Sequence, residues 1–152
     1  MRWKDPVAGY DGVIDPSADG YSYAVLGKEM LESFPTEIDG SIKLKPRQFA
    51  LGITRERIEL PESSRIAARV EGRSSLARIG LGVHVTAPTI HAGFRGTITL
   101  EMTNHGPHPI RLRPGMAICQ LIFEQVFGTP IATMTGAFQD QMTVFGKGSQ
   151  KS

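Results

Sequence analysis

From Thr97 to Thr103 the chain alternates without a break: Ile98, Leu100 and Met102 fall on one face, and Thr97, Thr99, Glu101 and Thr103 on the other. A period of two belongs to an extended strand with one buried face, and a slip of one residue would turn every apolar side chain to water. The chain must therefore supply partner strands and a core for this segment. Short runs of β-forming residues lie on both sides of it, punctuated by 17 glycines and 10 prolines, with no long amphipathic helix. That pattern is an all-β domain.

The segments around it are uneven in clarity. Residues 1–20 are dense in turn formers (Asp5-Pro6, Asp11-Gly12, Asp15-Pro16, Asp19-Gly20) and read as irregular, with a short strand at Val13-Ile14. Tyr21 to Leu26 reads as a strand, and Gly27 to Phe34 as either a helical turn or the continuation of a hairpin. Phe49 to Thr54 has strand character, continued by Arg55-Glu56-Arg57 toward Ile58 and Leu60, and Pro61-Glu62-Ser63-Ser64 turns the chain. Ile66, Ala68 and Val70 then alternate with Arg65, Ala67 and Arg69 as a half-buried strand. Ser74 to Arg78 has the composition of one helical turn, and Gly80 and Gly82 are flexible points on the way back to extended structure.

Asn104-His105-Gly106-Pro107 and Pro114-Gly115 are strong turns flanking Ile110–Arg113. The run Met116–Phe123 is apolar on both faces except at Gln120, as expected of a strand covered on both sides in a barrel, a sandwich or a subunit interface. The expected division is a β domain over 1–127 and a mobile C-terminal tail over 128–152, which ends Lys-Gly-Ser-Gln-Lys-Ser.

Composition excludes several classes of function. A net charge of +2 with scattered Lys and Arg gives no nucleic-acid footprint. Cys119, the one cysteine, has no internal disulfide partner and reads as an inert thiol in an apolar run. No stretch approaches membrane-spanning length and Met-Arg-Trp-Lys-Asp-Pro does not resemble a leader, so the expected location is cytoplasmic with no membrane partner.

One motif carries chemistry on its own terms. In Val70-Glu-Gly-Arg-Ser-Ser-Leu-Ala-Arg78, Gly72 frees the backbone ahead of two hydroxyls with a guanidinium on each side. Converging amides, serine donors and bidentate arginines make an anion cradle. Surface salt bridges explain Arg73 and Arg78 equally well, and Glu101 alone reads as a solvent-facing carboxylate on an edge strand.

Glu71-Gly-Arg-Ser-Ser-Leu-Ala-Arg-Ile-Gly-Leu81, Val83-His-Val-Thr-Ala87, Gly93-Phe-Arg-Gly-Thr-Ile-Thr-Leu-Glu101 and Leu112-Arg-Pro-Gly-Met116 with Gln120-Leu121 together closely resemble the dCTP deaminase family. That family shares its fold with the trimeric dUTPases, and the resemblance runs from about Leu44 to Phe123. It implies a distorted β-barrel or jelly-roll subunit of the dUTPase-like type and a homotrimer with active sites between subunits. It also implies conversion of dCTP to dUTP with release of ammonia, followed in some members by hydrolysis of dUTP to dUMP and diphosphate. The deamination uses no zinc, in keeping with a chain whose one cysteine cannot build a Cys-x-x-Cys and His set. Mg2+ is expected to arrive on the triphosphate.

Site roles follow from the same resemblance. Glu101 matches the glutamate that takes a proton from the attacking water and passes protons to N3 and the departing amine, a task that suits a carboxylate poised near neutrality by partial burial. Ser74 and Arg78 match the pair that holds the water and positions the glutamate. Arg73 and Ser75, with Ser74, match the phosphate-contacting turn. Ala87 matches a backbone contact to base and water, and Gln120 and Gln141 complete the substrate-binding set with His91. His84 matches a recurrent histidine, read either as a core side chain satisfied by backbone or as a catalytic one.

Several positions depart from the family pattern. His91 stands in Ile90-His-Ala-Gly-Phe94 where the family carries an aspartate that binds the 3′-hydroxyl and, in dUTPases, orients the hydrolytic water. A neutral imidazole keeps the hydrogen bond without the fixed charge, which weakens a diphosphatase reading more than a deaminase one. Thr89 replaces a frequent arginine. The leading helix looks absent, Asp19–Gly27 only faintly matches the family's early strand, and Ala137-Phe-Gln-Asp-Gln141 weakly matches the triphosphate-closing segment without its lysine and tyrosine. The sequence thus ranks a dCTP deaminase first, ahead of a dUTP diphosphatase or bifunctional enzyme and of a non-catalytic nucleotide-binding trimer.

Overall fold

The computed structural model describes residues 1–4, 13–128 and 138–145. Its elements in chain order are β1 (Arg2–Trp3), α1 (Tyr23–Met30), β2 (Leu31–Glu32), β3 (Ile42–Leu44), β4 (Phe49–Glu59), β5 (Ile66–Gly72), α2 (Ser74–Ala77), β6 (Leu81–Gly82), β7 (Thr89–Ile90), β8 (Arg95–Asn104), β9 (Ile110–Leu112) and β10 (Cys119–Gln125), with a single 3-10 turn at Glu62–Ser64. The class is all-β, as expected, and antiparallel ladders carry it. The orders are β10-β5-β7, β4-β8-β6, β3-β9 and β1-β2, an arrangement of small sheets and not a closed barrel.

The long pair β4–β8 is the frame. Ala50 faces Met102, Leu51 faces Glu101 and Ile53 faces Thr99, and a bulge between Ile53 and Arg57 shifts the register before Arg57 meets Thr97. The alternation in β8 does what its period demands: Leu100 and Met102 are buried, while Glu101 is partly open. Leu100 and Met102 join Leu44, Ala68, Val70, Leu81, Val83, Ile90, Phe94, Ile110 and Leu112 in one core. Each large aliphatic side chain removed from water there contributes about 1.5–3 kcal/mol. A second, smaller cluster of Leu31, Leu51 and Val144 lies against Met1, Trp3, Phe49 and Phe145.

Three expectations need correction. Val13-Ile14 forms no strand, and Val13 is exposed. The segment expected as a strand at 21–26 is instead the start of α1, entered through Ser22 in extended conformation. Ala24, Leu26, Lys28, Glu29 and Met30 are good helix formers, and Gly27 lets the helix sit against Phe145, whose ring would stand 2.7 Å from an added Cβ. The run at 116–123 is covered on one side only: β10 pairs with β5, while Ile122 and Phe123 remain 37% and 60% exposed. Barrel interior and sandwich core are thereby removed as explanations of its apolar character within this chain.

Gly80 and Gly82 are also more than flexible points. Gly80 has φ +95°, and a Cβ there would lie 2.2 Å from the Gly106 nitrogen. The α2–β6 connection and the β8–β9 turn therefore meet backbone to backbone. Within the segment expected as a mobile tail, residues 138–145 pack on the domain: Gln141 bridges to Gly96, and Val144 is buried.

Candidate functional site

Glu101 lies on β8 at the wall of a cavity of about 520 Å³. The lining is largely apolar and aromatic, from Trp3, Tyr23, Phe49, Leu51, Phe94 and Phe138, with His84, Thr99, Glu101 and Gln141 as polar insertions. One carboxylate oxygen, Oε2, accepts the Val85 N–H at 2.9 Å. That amide comes from the connection between β6 and β7, which is pinned where Val70 N–H donates to the Pro88 carbonyl at 2.9 Å. The same connection brings Ala87 and Thr89 to the cavity.

Three residues of this lining each carry a buried polar atom with no hydrogen-bond partner among the described residues: His84 Nδ1, Thr99 Oγ1 and Gln141 Oε1. Leaving such groups unpaired costs about 1–3 kcal/mol each. These atoms are sealed within the wall and do not open onto the cavity. His84, read either as a core side chain satisfied by backbone or as a catalytic one, is unsatisfied at Nδ1.

Gln141 is held so that its amide cannot turn over. Its Nε2 donates to the Thr97 carbonyl at 2.6 Å, and its backbone carbonyl accepts from Thr97 Oγ1 at 2.9 Å. The group left over, Oε1, is an acceptor buried within the wall. Around it, Gln139 accepts Arg95 N–H and donates to the Gly93 carbonyl, and Asp140 pairs with Arg95 and Arg57. These contacts clasp residues 138–145 to the start of β8.

The cradle residues are together but elsewhere. Arg73 precedes α2 and donates through Nη1 to the Ala117 carbonyl at 3.1 Å, and Leu76 and Ala77 return their N–H groups to the Arg73 carbonyl. Ser74, Ser75 and Arg78 stand exposed on that turn and do not line the Glu101 cavity. Arg78 instead borders an open depression shared with His105, His108 and Arg111. His91 is exposed on the turn before β8, its carbonyl accepting Phe94 N–H at 3.1 Å, and is not part of the cavity lining. Gln120 lines a separate apolar groove with Cys119, whose thiol is pushed above its ordinary value by burial and then by Glu56. Of the expected site, one chain brings together Glu101, Ala87 and Gln141, and leaves Ser74, Ser75, Arg73, Arg78, His91 and Gln120 apart.

Sequence reasoning missed Thr99, Tyr23 and Phe138 as site residues, and it missed the Val85 amide. Thr99 was within reach, since the alternation places it on the Glu101 face. Tyr23 carried no signal, because its helix was not recognised.

Among the described residues no three His, Cys, Asp or Glu side chains converge as metal ligands would, and no described helix is long and apolar enough to cross a membrane.

Comparisons with known proteins agree with this fold. Residues 2–126 match the family model described as dCTP deaminase-like. The chain is 48% identical over 103 residues to the dCTP deaminase of Rhodospirillum rubrum, covering 65% of this chain and 52% of that protein. It is 40% identical over 124 residues to the dUMP-forming dCTP deaminase of Methanosphaera stadtmanae, covering 82% of this chain and 61% of that protein. It thus spans about half to three fifths of the length of these curated relatives. Among solved structures, the native EIAV dUTPase superposes with TM-score 0.51 at 27% identity, covering 64% of this chain and 74% of that one. The dCTP deaminase of Agrobacterium tumefaciens superposes with TM-score 0.59 at 21% identity, covering 68% of this chain and 31% of that one, a likeness of fold. With most of its length inside that family's model, and with these identities to named members, the chain belongs to the dCTP deaminase-like family.

Proposed function

We propose that this chain is the subunit of a zinc-independent dCTP deaminase that converts dCTP and water to dUTP and ammonia. The observation that carries the reading is Glu101, anchored at one oxygen by the Val85 amide and lining a largely apolar cavity of about 520 Å³. Glu101 takes one proton from the water attacking C4 of cytosine and gives it to N3, then takes the second from the new C4 hydroxyl and gives it to the leaving amine, so that the C4–N bond breaks, the C4 carbonyl forms and ammonia departs. The hydrogen bond that the Val85 N–H donates to Oε2 fixes the carboxylate without neutralising it.

Ser74, Ser75, Arg73 and Arg78 complete the site from a neighbouring subunit of a homotrimer, with the arginines and serines on the phosphates and the attacking water. Their exposure and their distance from the Glu101 cavity within one chain support this division. Mg2+ enters as part of the substrate, carried by phosphate oxygens. The enzyme acts in the cytoplasm.

A second reading, with dUMP as the product, is favoured by the name of the Methanosphaera stadtmanae relative and opposed by His91, which sits exposed where the family keeps its aspartate. Incubating the purified chain with dCTP and, separately, with dUTP, each with Mg2+ and without zinc, decides between them by chromatography. dUTP from dCTP supports the deaminase, and dUMP adds the diphosphatase. Nucleotide-induced thermal stabilisation with no product would leave a binding trimer. Glu101→Gln should lower ammonia release by about a thousandfold while nucleotide binding persists, since a positioned acid–base group supplies about 10² to 10⁴ in rate.

A further inference from the structure

Tyr23 reaches the Glu101 cavity from α1, a helix with no part in the motifs that identify the family resemblance. Its hydroxyl donates to the Val144 carbonyl at 3.3 Å, long for a hydroxyl donor. Its ring centroid lies 6.2 Å from that of Phe138 at an interplanar angle of 59°, within the range of tilted aromatic pairs. The ring is thus fixed at both ends while its donor is only loosely engaged. Burial, then the charge of Glu101 and then Tyr21, hold the phenol above the ordinary tyrosine value, so it remains a proton donor at neutral pH. The titratable groups around it are Glu101 on β8, Tyr21 just ahead of α1 and His84 on the cavity lining.

Glu101 has one oxygen held by Val85 N–H, and no described residue donates to the other. A carboxylate that must receive and release protons needs its second oxygen placed as well as its first. We propose that Tyr23 is a positioning residue for Glu101: when ligand fills the cavity, its hydroxyl leaves the Val144 carbonyl and donates to the carboxylate. The exchange is favoured because hydrogen bonds to a charged acceptor are roughly twice as strong as neutral ones, and displacing water from the cavity strengthens them further. Since Val144 belongs to the segment clasped over β8, the placement of Glu101 becomes tied to the seating of residues 138–145. This inference rests on the deaminase reading for its catalytic consequence, but the proximity of the two groups can be measured without turnover.

Tyr23→Phe keeps the ring and its Phe138 contact and removes only the hydroxyl. The expected result is a kcat lowered about tenfold, the rate equivalent of one hydrogen bond, with KM within twofold and an unchanged Tm. The acid limb of the pH profile should move to higher pH, because the carboxylate loses a donor that favours its charged form. A wild-type kcat and profile, or a rise in KM alone, overturns the proposal.

The turnover-free arm titrates Tyr23 by tyrosinate absorbance in a Tyr10→Phe, Tyr21→Phe background, with and without Glu101→Gln. Removing the carboxylate charge should lower the midpoint. An unchanged midpoint means that the two groups are not neighbours and rejects the proposal even if dCTP is not the substrate; a lowered midpoint in a chain that forms no product upholds the proximity that the proposal requires while the deaminase reading fails.

Discussion

Asn104 closes β8 fully buried, with its whole amide in use. Nδ2 donates to the Leu44 and His108 carbonyls, each at 2.9 Å, and Oδ1 accepts Gly106 N–H at 2.9 Å. One side chain thereby ties β8 to β3 and shapes the turn that the Asn-His-Gly-Pro run announced. Asn104→Ala would strand the buried Leu44 carbonyl and remove two further bonds that shape the part-buried turn at Gly106 and His108. The expected loss is on the order of 3 kcal/mol in a urea titration, toward the upper end for a broken buried network. Glu101 presents the complementary lesson. Its type and face were legible from alternation, but the group that anchors it is a backbone amide at Val85, and no residue identity encodes where an amide will point. His84, Thr99 and Gln141 came together only when the fold placed all three on the lining of one cavity.

Among the elements, legibility followed how far local pattern and tertiary context agreed. β5 and β8 read correctly because one face is buried and the other is not, which leaves a period of two in the sequence. The short helical turn after Gly72 was also legible, since Ser74–Ala77 lies between a glycine and a returning strand. α1 was only half legible: from Gly27 a helical turn stood beside a hairpin continuation, but Tyr23–Leu26 read as strand, because eight residues beginning Tyr-Ala-Val give no decisive period and the helix is fixed by packing Gly27 on Phe145, more than a hundred positions away. The α2–β6 connection shows the same dependence on distant contacts. Gly80 needs its positive φ, and its missing Cβ admits the Gly106 backbone. Gly80→Ala should therefore cost more than a surface substitution, about 3 kcal/mol or above, because neither strain nor overlap can relax into a flexible side chain. Thermal unfolding would check it: Tm should fall by roughly 8 °C or more at this chain length.

For the molecule as a whole, the exposed β10 face and the separated halves of the site have one explanation in common. Ile122 and Phe123 lie open on β10, and Ser74 and Arg78 lie open on α2, while Glu101 lies in a cavity that neither serine nor arginine reaches. A proposed trimer in which each site takes its carboxylate from one subunit and its cradle from the next covers the first and joins the second. Subunit mixing tests this more sharply than mass alone. Glu101→Gln and Arg78→Ala chains should each be inactive, and both substitutions leave the fold intact because neither removes a core contact. Unfolded and refolded together in equal amounts, they should recover roughly a quarter of wild-type turnover, the share of sites that draw both intact residues when subunits of a closed ring mix at random. Sedimentation equilibrium of the same samples should give three times the chain mass. A mixture that stays inactive while sedimenting as a trimer would place the whole reaction within one chain, and the α2 arginines would then be surface charges with no part in catalysis.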